Sequence, residues 1–314
     1  MLGIPAVTTL NSQDNTVLVL GGQGMLGHMV VRRMGEVGEL RVKWTSRQGI
    51  PESIPFDASS VVRTLRRVLR EAGPIGLVVN CIGILRSSID ESDENSTRVA
   101  YLINSKLPHQ VAEECRLVGA KFINISTDAV FKNNAGLCLE DTPADPEGFY
   151  GLSKLDGEVL SGNALNIRCS ILGPDPYHGR GLIEWCRRQP EGTVIQGFLD
   201  QLWVGATTLQ VADLIVSLSL GDLFDAARAE GPIHHFCPLA PVSKAELLRT
   251  IVECYKLQLN VDFIESGNMI TRRLETKLRV LASVGGKHSS VKTALQQLAA
   301  YSANVKYLKL YEVN

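Results

Sequence analysis

Residues 16–27 read Thr-Val-Leu-Val-Leu-Gly-Gly-Gln-Gly-Met-Leu-Gly. The apolar run Val17–Leu20 is typical of a strand buried on both faces of a parallel sheet. Glycines follow this run at four positions, Gly21, Gly22, Gly24 and Gly27. Apolar residues then recur at helical spacing, at Met25, Leu26, Met29 and Val30. A strand, a glycine turn and a helix in this order predict a site where backbone N–H groups and a helix N-terminus hold a pyrophosphate.

The glycine spacing fits two motifs, and neither is specific by itself. Gly22, Gly24 and Gly27 fit G-x-G-x-x-G, whereas Gly21, Gly24 and Gly27 fit G-x-x-G-x-x-G. Glycines cluster in many tight turns, so a plain strand-to-helix turn is the alternative interpretation. The strand and the helix on either side favour the dinucleotide site. We therefore expect five residues of the turn to contact the cofactor: Gly21, Gly24, Met25, Leu26 and Gly27.

The composition is that of an ordinary globular protein. Of 314 residues, 45% are hydrophobic and 21% are charged, and the formal net charge is −1. This balance predicts neither a nucleic-acid partner nor an anionic membrane surface. No apolar run reaches spanning length and residues 1–15 lack signal-peptide features, so we expect a cytoplasmic protein without membrane insertion. Seven scattered cysteines without C-x-x-C favour reduced thiols over a disulfide framework or a metal site.

The second predicted strand ends where a bound dinucleotide places its adenosine ribose. Strand Leu40–Trp44 is followed by Thr45, Ser46 and Arg47, with no carboxylate to bond the 2′-hydroxyl of NAD. A guanidinium forks onto phosphate oxygens, so Arg47 favours NADP(H) over NAD(H), with a solvated surface arginine as the alternative. Asp57 follows the third predicted strand. It is placed either to bind the adenine amino group or to cap the next helix.

Two further buried strands complete the pattern of an α/β protein. Leu77–Gly83 ends in a glycine, and small residues there let the backbone of Ile82 and Gly83 lie beside the cofactor. Asn80 is expected to orient this loop, with a plain turn residue as the alternative. Lys121–Ile125 forms the fifth strand. Because helical segments separate these strands, we predict a doubly wound parallel Rossmann sheet.

Side chains at one edge of this sheet are suited to proton transfer. Ser126, Thr127 and Asp128 follow the fifth strand, and ligands bind beyond the carboxyl ends of strands in open parallel sheets. Tyr150 and Lys154 are four residues apart, so they project from one face of a predicted helix. An ammonium beside a phenol lowers the phenol pKa from about 10, which lets tyrosine exchange a proton with a carbonyl–alcohol pair. If the motif stood alone, an exposed tyrosine and a solvated lysine would be preferred.

The glycine turn, the Ser-Thr pair and Tyr-x-x-x-Lys occur in an order that resembles the extended short-chain dehydrogenase/reductase superfamily. The more detailed likeness is to the dTDP-4-dehydrorhamnose reductase family of sugar-nucleotide reductases. The residues that carry it are 21–27, 79–80, 125–131 and 150–158, with 166–174 resembling the strand and loop after the catalytic helix. The resemblance covers about residues 16–283.

This resemblance implies an NADPH-dependent reduction of the 4-keto group of a nucleotide-linked 6-deoxyhexose, in polysaccharide biosynthesis. Hydride moves from the nicotinamide to the ketone carbon while Tyr150 supplies the proton. Lys154 lowers the phenol pKa and holds the nicotinamide ribose, and Thr127 stabilises charge on the carbonyl oxygen. Asn104 matches the helix asparagine that steadies the lysine through water in the superfamily.

Two departures from related enzymes narrow the expected reaction. Related 4,6-dehydratases place Asp-Glu after the threonine, whereas Ala129 follows Asp128 here, so dehydration is disfavoured. Family epimerase-reductases place a cysteine near this strand end, and the sequence has none there. Simple ketone reduction remains. Two alternatives stay open: an NAD-dependent sugar-nucleotide epimerase, and a catalytically idle dinucleotide-binding regulatory subunit.

We predict three regions along the chain. Residues 1–168 form the dinucleotide-binding domain, beginning with a loose leader, and residues 205–222 return to it. Residues 169–284 form a smaller, interleaved substrate lobe. Residues 285–314 form a C-terminal helix and a tail of unassigned role.

The substrate is expected to contact both of the larger regions, through Thr127, Asp128, His178 and Arg180. The last two lie in the loop after Gly173-Pro174, where relatives contact the sugar nucleotide. A plain loop histidine and a solvated arginine are the alternatives. His234-His235 resembles a strand entering the lobe rather than a metal pair, because no third ligand is nearby. A nucleotide sugar is therefore the expected partner, and a homodimer is left open.

Overall fold

A computed structural model of the chain describes residues 15–285 and 289–303. Nearly all of the predicted leader and the end of the predicted tail, residues 304–314, lie outside the described residues. The described residues form fifteen strands. Their bounds are β1 Thr16–Leu20, β2 Arg41–Ser46, β3 Ile54–Pro55, β4 Leu77–Asn80, β5 Lys121–Thr127, β6 Leu137–Cys138, β7 Ala164–Cys169, β8 Ile171–Leu172, β9 Val194–Phe198, β10 Leu202–Trp203, β11 Ala206–Thr207, β12 Ile233–His235, β13 Val242–Ser243, β14 Asn260–Ile264 and β15 Arg273–Leu274.

Helices connect most of these strands. The α-helices are α1 Gly27–Gly35, α2 Val61–Ala72, α3 Glu94–Tyr101, α4 Leu107–Val118, α5 Gly148–Leu155, α6 Leu182–Arg187, α7 Thr208–Ser219, α8 Leu223–Glu230, α9 Lys244–Cys254, α10 Arg279–Gly285 and α11 Val291–Ala303. Short 3-10 turns lie at Ala58–Ser60, Arg86–Ser88 and Asp128–Val130. Among the helices described, none has both the length and the apolar character needed to cross a membrane.

Seven strands form one parallel sheet in the order β3-β2-β1-β4-β5-β7-β12. Successive residues of β1 face opposite cores: Val17 and Val19 pack in the core that contains α1 and α7, and Leu18 and Leu20 pack in the core that contains α2 and α4. Helices cover both faces of β1, which is why the strand is apolar throughout. The predicted doubly wound Rossmann sheet is confirmed. Strand order reverses between β1 and β4, the point at which open α/β sheets bind ligands.

The helical region that carries Asn104 contains an irregular turn. Between α3 and α4 the backbone is π-helical over Leu102–Lys106, and Asn104 lies at the centre of this turn. Such turns occur frequently at functional sites because they re-aim the side chains that they carry. The helix ends at Gly119, whose φ of 74° is the left-handed conformation that commonly follows a helix.

The chain after β7 alternates between a small lobe and the layers of the main sheet. In the lobe, β9 pairs in parallel with β14, and α9 packs against both strands. Helix α7 packs instead against α1, on one face of the main sheet. The domain boundaries given above, including the return of residues 205–222, stay predictions.

The strand at His234-His235 does not enter the lobe, so that part of the sequence interpretation is wrong. β12 is the edge strand of the main sheet, where His234 pairs with Ile167 and His235 pairs with Arg168 of β7. His234 is completely buried, and its Nε2 is 2.9 Å from the carbonyl oxygen of Ala227. Pairing with β12 covers backbone N–H and C=O groups that β7 would otherwise expose at the sheet edge.

The C-terminal helix predicted within residues 285–314 corresponds to α11. It packs against α9 and α7, with Leu295 and Leu298 completely buried. Near its end, the Tyr301 hydroxyl donates a hydrogen bond of 2.6 Å to Glu36, directly after α1. Helix α11 therefore connects α9 of the lobe with the end of α1, the helix that follows the glycine turn.

We expect Leu295→Ala to lower the free energy of unfolding by about 2–5 kcal/mol, because it leaves a cavity in the core beneath α11. Urea unfolding with an unchanged m-value measures this loss. The matched control is Leu117→Ala, since Leu117 is 56% exposed. Its expected effect is within about 0.5 kcal/mol. Equal stability of the two variants would show that α11 is not part of the core.

Candidate active site

The glycine turn packs α1 closely against the end of β1. Gly21 has a φ of 80°, and the N–H of Gly24 donates to its carbonyl oxygen over 3.0 Å. A Cβ on Gly27 would clash with that same carbonyl group. The cap residue of α1, Leu26, provides no side-chain hydrogen bond, and a helix N-terminus attracts an anion through its dipole. The turn therefore fits the pyrophosphate of a dinucleotide.

The end of β2 supports this turn and presents Arg47. The Thr45 hydroxyl accepts from the N–H of Gly21 over 3.0 Å, and the Ser46 hydroxyl accepts from the N–H of Gly49 over 3.0 Å. Both hydroxyls are buried and bonded within the protein, whereas Arg47 is exposed at the strand end. A cation in that position fits a 2′-phosphate. Arg47 as a cofactor ligand stays a prediction.

Asp57 caps a turn, one of the two roles that the sequence left open. Its carboxylate accepts from the N–H of Ser59 over 3.0 Å, at the start of the short helical turn Ala58–Ser60. This hydrogen bond is the largest of the causes that lower the pKa of Asp57. Contact with adenine stays a prediction.

The loop after β4 is held by two buried amides. The Asn80 side chain accepts from the N–H of Ile82 over 3.1 Å, so it orients the loop as predicted. Asn104 accepts from the N–H of Ile84 over 2.8 Å and donates to the carbonyl oxygen of the same residue over 3.1 Å. Asn104 also donates to the Ser153 hydroxyl over 3.0 Å. It thus joins this loop directly to the helix that carries Tyr150 and Lys154.

One cleft brings most of the predicted site residues together. Its volume is about 1800 Å³, including space open to solvent. The predicted residues that line it are Gly24, Met25, Leu26, Ile82, Gly83, Thr127, Asp128, Tyr150, Lys154 and Arg180. The others do not line it: Gly21, Gly27, Arg47, Asp57, Asn80, Asn104 and His178. The hydroxyl of Thr127, the phenol of Tyr150 and the ammonium of Lys154 thus share one space with the glycine turn.

The pKa of Tyr150 is raised rather than lowered in this structure, contrary to the sequence-based expectation. Burial raises the pKa of Tyr150 to about 12, and a hydrogen bond with Thr127 offsets only part of that rise. The Lys154 ammonium donates instead to the carbonyl oxygen of Ile125 over 2.7 Å. Burial lowers the pKa of Lys154 to about 8, against the opposing charge of Glu158. Desolvation therefore exceeds the effect of the neighbouring charges at both groups.

Arg272 is a cleft residue that the sequence reasoning missed. Its Nε lies 2.9 Å from Oδ2 of Asp128, and its Nη1 donates to the carbonyl oxygen of Phe131 over 3.0 Å. The other Asp128 oxygen accepts from the Thr127 hydroxyl over 3.2 Å. Arg272 thereby orients the residue beside the predicted catalytic threonine. Arg272 and Asp128 are 144 residues apart in the chain, and no local pattern links them.

A buried ion pair under the strand end was also missed. Arg168 donates to both carboxylate oxygens of Glu158, each over 2.8 Å, and the Ser126 hydroxyl donates to the same carboxylate over 2.7 Å. Both charged side chains are nearly fully buried. A bidentate pair of this kind fixes geometry, because removing either partner leaves a buried unpaired charge. It therefore sets the position of Ser126, next to Thr127.

The loop after β8 is organised by Asp175, another residue that motif analysis did not single out. Its buried carboxylate accepts from the backbone N–H groups of His178 and Arg180, both over 3.3 Å. Arg180 lines the cleft, whereas the His178 side chain is 43% exposed and does not. The plain loop histidine is the better interpretation of His178. Within residues 15–285 and 289–303, no cluster of His, Cys, Asp and Glu could hold a metal ion.

Comparisons with known proteins identify a family and several relatives that this chain resembles. The chain matches the model of the family described as "RmlD substrate binding domain" over residues 15–269. It is 32% identical over 228 residues to a dTDP-4-dehydrorhamnose reductase of Streptomyces griseus, across 69% of each sequence. It is 31% identical over 209 residues to a probable dTDP-4,6-dihydroxy-2-methyloxan-3-one 4-ketoreductase of Streptomyces antibioticus, across 64% of this chain and 66% of the relative.

A solved structure shares the fold over nearly its whole length. It is a dTDP-4-dehydrorhamnose reductase from Bacillus anthracis in complex with NADP, with a TM-score of 0.71 and 20% sequence identity. The superposition covers 92% of this chain and 99% of the other. At this identity the likeness supports the fold.

We expect Tyr150 to stay protonated up to about pH 10 in the cofactor-free protein, because its raised pKa favours the phenol over the phenolate. The ultraviolet difference spectrum between the wild type and Tyr150→Phe measures this at alkaline pH. It should show no phenolate absorbance that belongs to Tyr150 below that pH. Such absorbance appearing near neutral pH would instead mean that Lys154 controls the phenol.

Proposed function

This chain belongs to the RmlD substrate binding domain family, and we propose on that basis that it reduces the 4-keto group of a nucleotide-linked 6-deoxy sugar with NADPH. The family resemblance drawn from the motifs is confirmed. The observation that carries the proposal is that Thr127, Tyr150 and Lys154 line one cleft with residues of the glycine turn. A relative in this family, the Streptomyces griseus protein, is named a dTDP-4-dehydrorhamnose reductase, which supports the choice of substrate.

The mechanism uses Tyr150 as the acid. When bound, the reduced nicotinamide supplies the hydride that adds to the ketone carbon. With a pKa of about 12, Tyr150 holds its proton at neutral pH and donates it to the carbonyl oxygen as negative charge develops there. We propose that the Thr127 hydroxyl bonds the same oxygen.

The other two predicted catalytic residues, Lys154 and Asn104, are proposed to hold the cofactor and the loop beside it in position. Lys154 is anchored by the carbonyl oxygen of Ile125, and its ammonium faces the cleft beside Gly83. We propose that it holds the ribose next to the nicotinamide. Asn104 joins the loop at Ile84 to Ser153 on the catalytic helix, so we propose that it maintains the spacing between cofactor loop and lysine.

A second, largely apolar pocket in the lobe supports a nucleotide sugar as the substrate. It adjoins the cleft, since Met25 and Ile171 line both spaces. Trp185 and Trp203 contribute aromatic faces to it, and Lys244 lies on its wall. Aromatic faces suit a planar base, and a cation suits a phosphate. We propose that Asp128 and Arg180 contact the sugar nucleotide between the two spaces, and that His178 lies at its margin.

Assembly and location form a separate part of the proposal. All seven cysteines are free, which fits the reducing interior of a cell, and we propose a cytoplasmic protein. We propose as well that the chain forms a homodimer and that residues 1–168 and 205–222 form the dinucleotide-binding domain. The lobe then consists of residues 169–284 without that return and without β12, which lies in the main sheet. Light scattering of the purified protein measures the assembly: a mass near 34.2 kDa would exclude the dimer.

The function is tested by mixing the protein with NADPH and each of several 4-keto sugar nucleotides, and following the loss of reduced nicotinamide absorbance. Consumption of free NADPH with at least one of them is the expected result. Tightly bound NAD in the purified protein, with interconversion of sugars and no net oxidation, would indicate an epimerase. Dinucleotide binding without turnover of any sugar would indicate an idle regulatory subunit.

We expect Tyr150→Phe to abolish turnover while leaving the NADPH affinity nearly unchanged, because only the hydroxyl that carries the proton is lost. The matched control is Tyr255→Phe. Among the described residues the buried Tyr255 hydroxyl has no hydrogen-bond partner, so its loss should leave activity intact. Full activity of the Tyr150 variant would remove this residue from the mechanism.

Arg47→Gln should raise the KM for NADPH about tenfold or more and leave the KM for NADH almost unchanged, because a charge-assisted bond to the 2′-phosphate is lost. Steady-state kinetics with each cofactor measures the two effects. Arg41→Gln is the control, since Arg41 is an exposed arginine at the opposite end of β2. An equal loss with both cofactors would argue against Arg47 as the phosphate ligand.

A further inference from the structure

Three asparagines lie side by side across the middle of the main sheet. Asn80 on β4, Asn124 on β5 and Asn166 on β7 are partners in the strand register, so their side chains share one face. Each is at most 1% exposed. Three adjacent buried amides carry a free-energy cost unless they are hydrogen-bonded. We call these three residues the amide ladder.

The ladder satisfies its own polar atoms. The Asn80 amide nitrogen donates to the Asn124 side-chain oxygen over 3.0 Å, and the Asn124 nitrogen donates to the Asn166 oxygen over 3.1 Å. An amide side chain both donates and accepts, so a row of amides can pass hydrogen bonds from strand to strand. A fully bonded buried network of this kind fixes one arrangement.

The ends of the ladder are attached to the two parts of the candidate site. At one end, Asn80 accepts from the N–H of Ile82, in the loop that lines the cleft. In the middle, Asn124 donates to the carbonyl oxygen of Gly157 over 3.0 Å. Gly157 lies two residues after α5, the helix that carries Tyr150 and Lys154.

At the other end, the ladder holds the same segment a second time. Asn166 accepts from the N–H of Val159 over 3.0 Å and donates to its carbonyl oxygen over 2.7 Å. Between the two attachment points, Glu158 forms the buried ion pair with Arg168. The segment 157–159 is therefore bonded to the sheet at every residue. A shift of the end of α5 would break several buried bonds at once.

We propose that the amide ladder is a positioning device that couples the cofactor loop, residues 81–84, to the catalytic helix α5. Its kinetic consequence rests on the proposed reductase function, whereas its structural consequence does not. Asn80, Asn124 and Asn166 are positioning residues: they do not line the cleft. They hold the cofactor loop and α5 at a fixed distance from each other, so that both contact the nicotinamide. This connection is additional to the direct one through Asn104.

Asn124→Asp is the most informative variant. Aspartate has the same size and still accepts from Asn80, but it cannot donate to Asn166 or Gly157. Hydrogen exchange of the backbone should become faster in both 81–84 and 157–159, although the bond between Asn80 and Ile82 is not itself altered. The NADPH dissociation constant, measured by fluorescence, should rise about tenfold. This is the size of effect that residues coupled in one hydrogen-bond network have on one another. Where turnover is measurable, kcat should fall about 10²-fold because the reacting groups are misplaced.

His234→Leu is the matched control. It removes a buried hydrogen bond, to the carbonyl oxygen of Ala227, from the edge strand of the same sheet. This variant should be less stable than the wild type, but its NADPH binding, its kcat and its hydrogen exchange in residues 81–84 should be unchanged. If Asn124→Asp does not fold, Asn80→Ala takes its place, since it removes only the outer bonds of the ladder. Faster exchange in 157–159 is then expected, far from the substitution.

The proposal is overturned if each variant accelerates exchange only beside its own substitution, or if Asn124→Asp keeps the NADPH affinity and kcat of the wild type. Failure of the proposed function looks different. If the wild type reduces no keto-sugar nucleotide, the exchange and NADPH-binding measurements still decide whether the ladder couples the two elements.

Discussion

The contact between Gly27 and the carbonyl group of Gly21 is the constraint on which the rest of the structure depends. A side chain at position 27 would clash with that carbonyl, so α1 can begin directly at the end of β1 only because glycine is there. This approach aims the N-terminus of α1 at the carboxyl edge of the sheet. β4 and β5 end at the same edge, because all strands of the sheet are parallel. The cleft is the space that these ends enclose.

Burial has a larger effect on the chemistry of this cleft than the charges around it. The Lys154 ammonium is bonded to the carbonyl oxygen of Ile125, and burial lowers the pKa of this ammonium. The same desolvation raises the pKa of Tyr150. Reduction of a ketone needs an acid, and a protonated tyrosine provides one. The cofactor-free protein therefore holds Tyr150 in the protonation state that reduction requires.

The candidate site could be located from the sequence because its main parts are local patterns. Glycines at positions 21, 24 and 27 predict a turn. The i, i+4 spacing of Tyr150 and Lys154 predicts that both lie on one helix face. The contacts that hold these parts are not local. Arg272 reaches Asp128 from 144 residues away, and Asn104 owes its direction to a π-helical turn that no periodicity indicated.

By itself, then, the sequence determined the alternation of buried strands and helices, and through it the parallel sheet and the edge where ligands bind. Apolar periodicity and glycine positions act over a few residues, so one chain segment contains all the information. Three features are visible only in the folded chain: β12 joins the edge of the main sheet, Lys154 bonds to Ile125, and three asparagines meet across the sheet. Strand partners, buried bonds and desolvation depend on atoms that are distant in the chain and meet only when it folds.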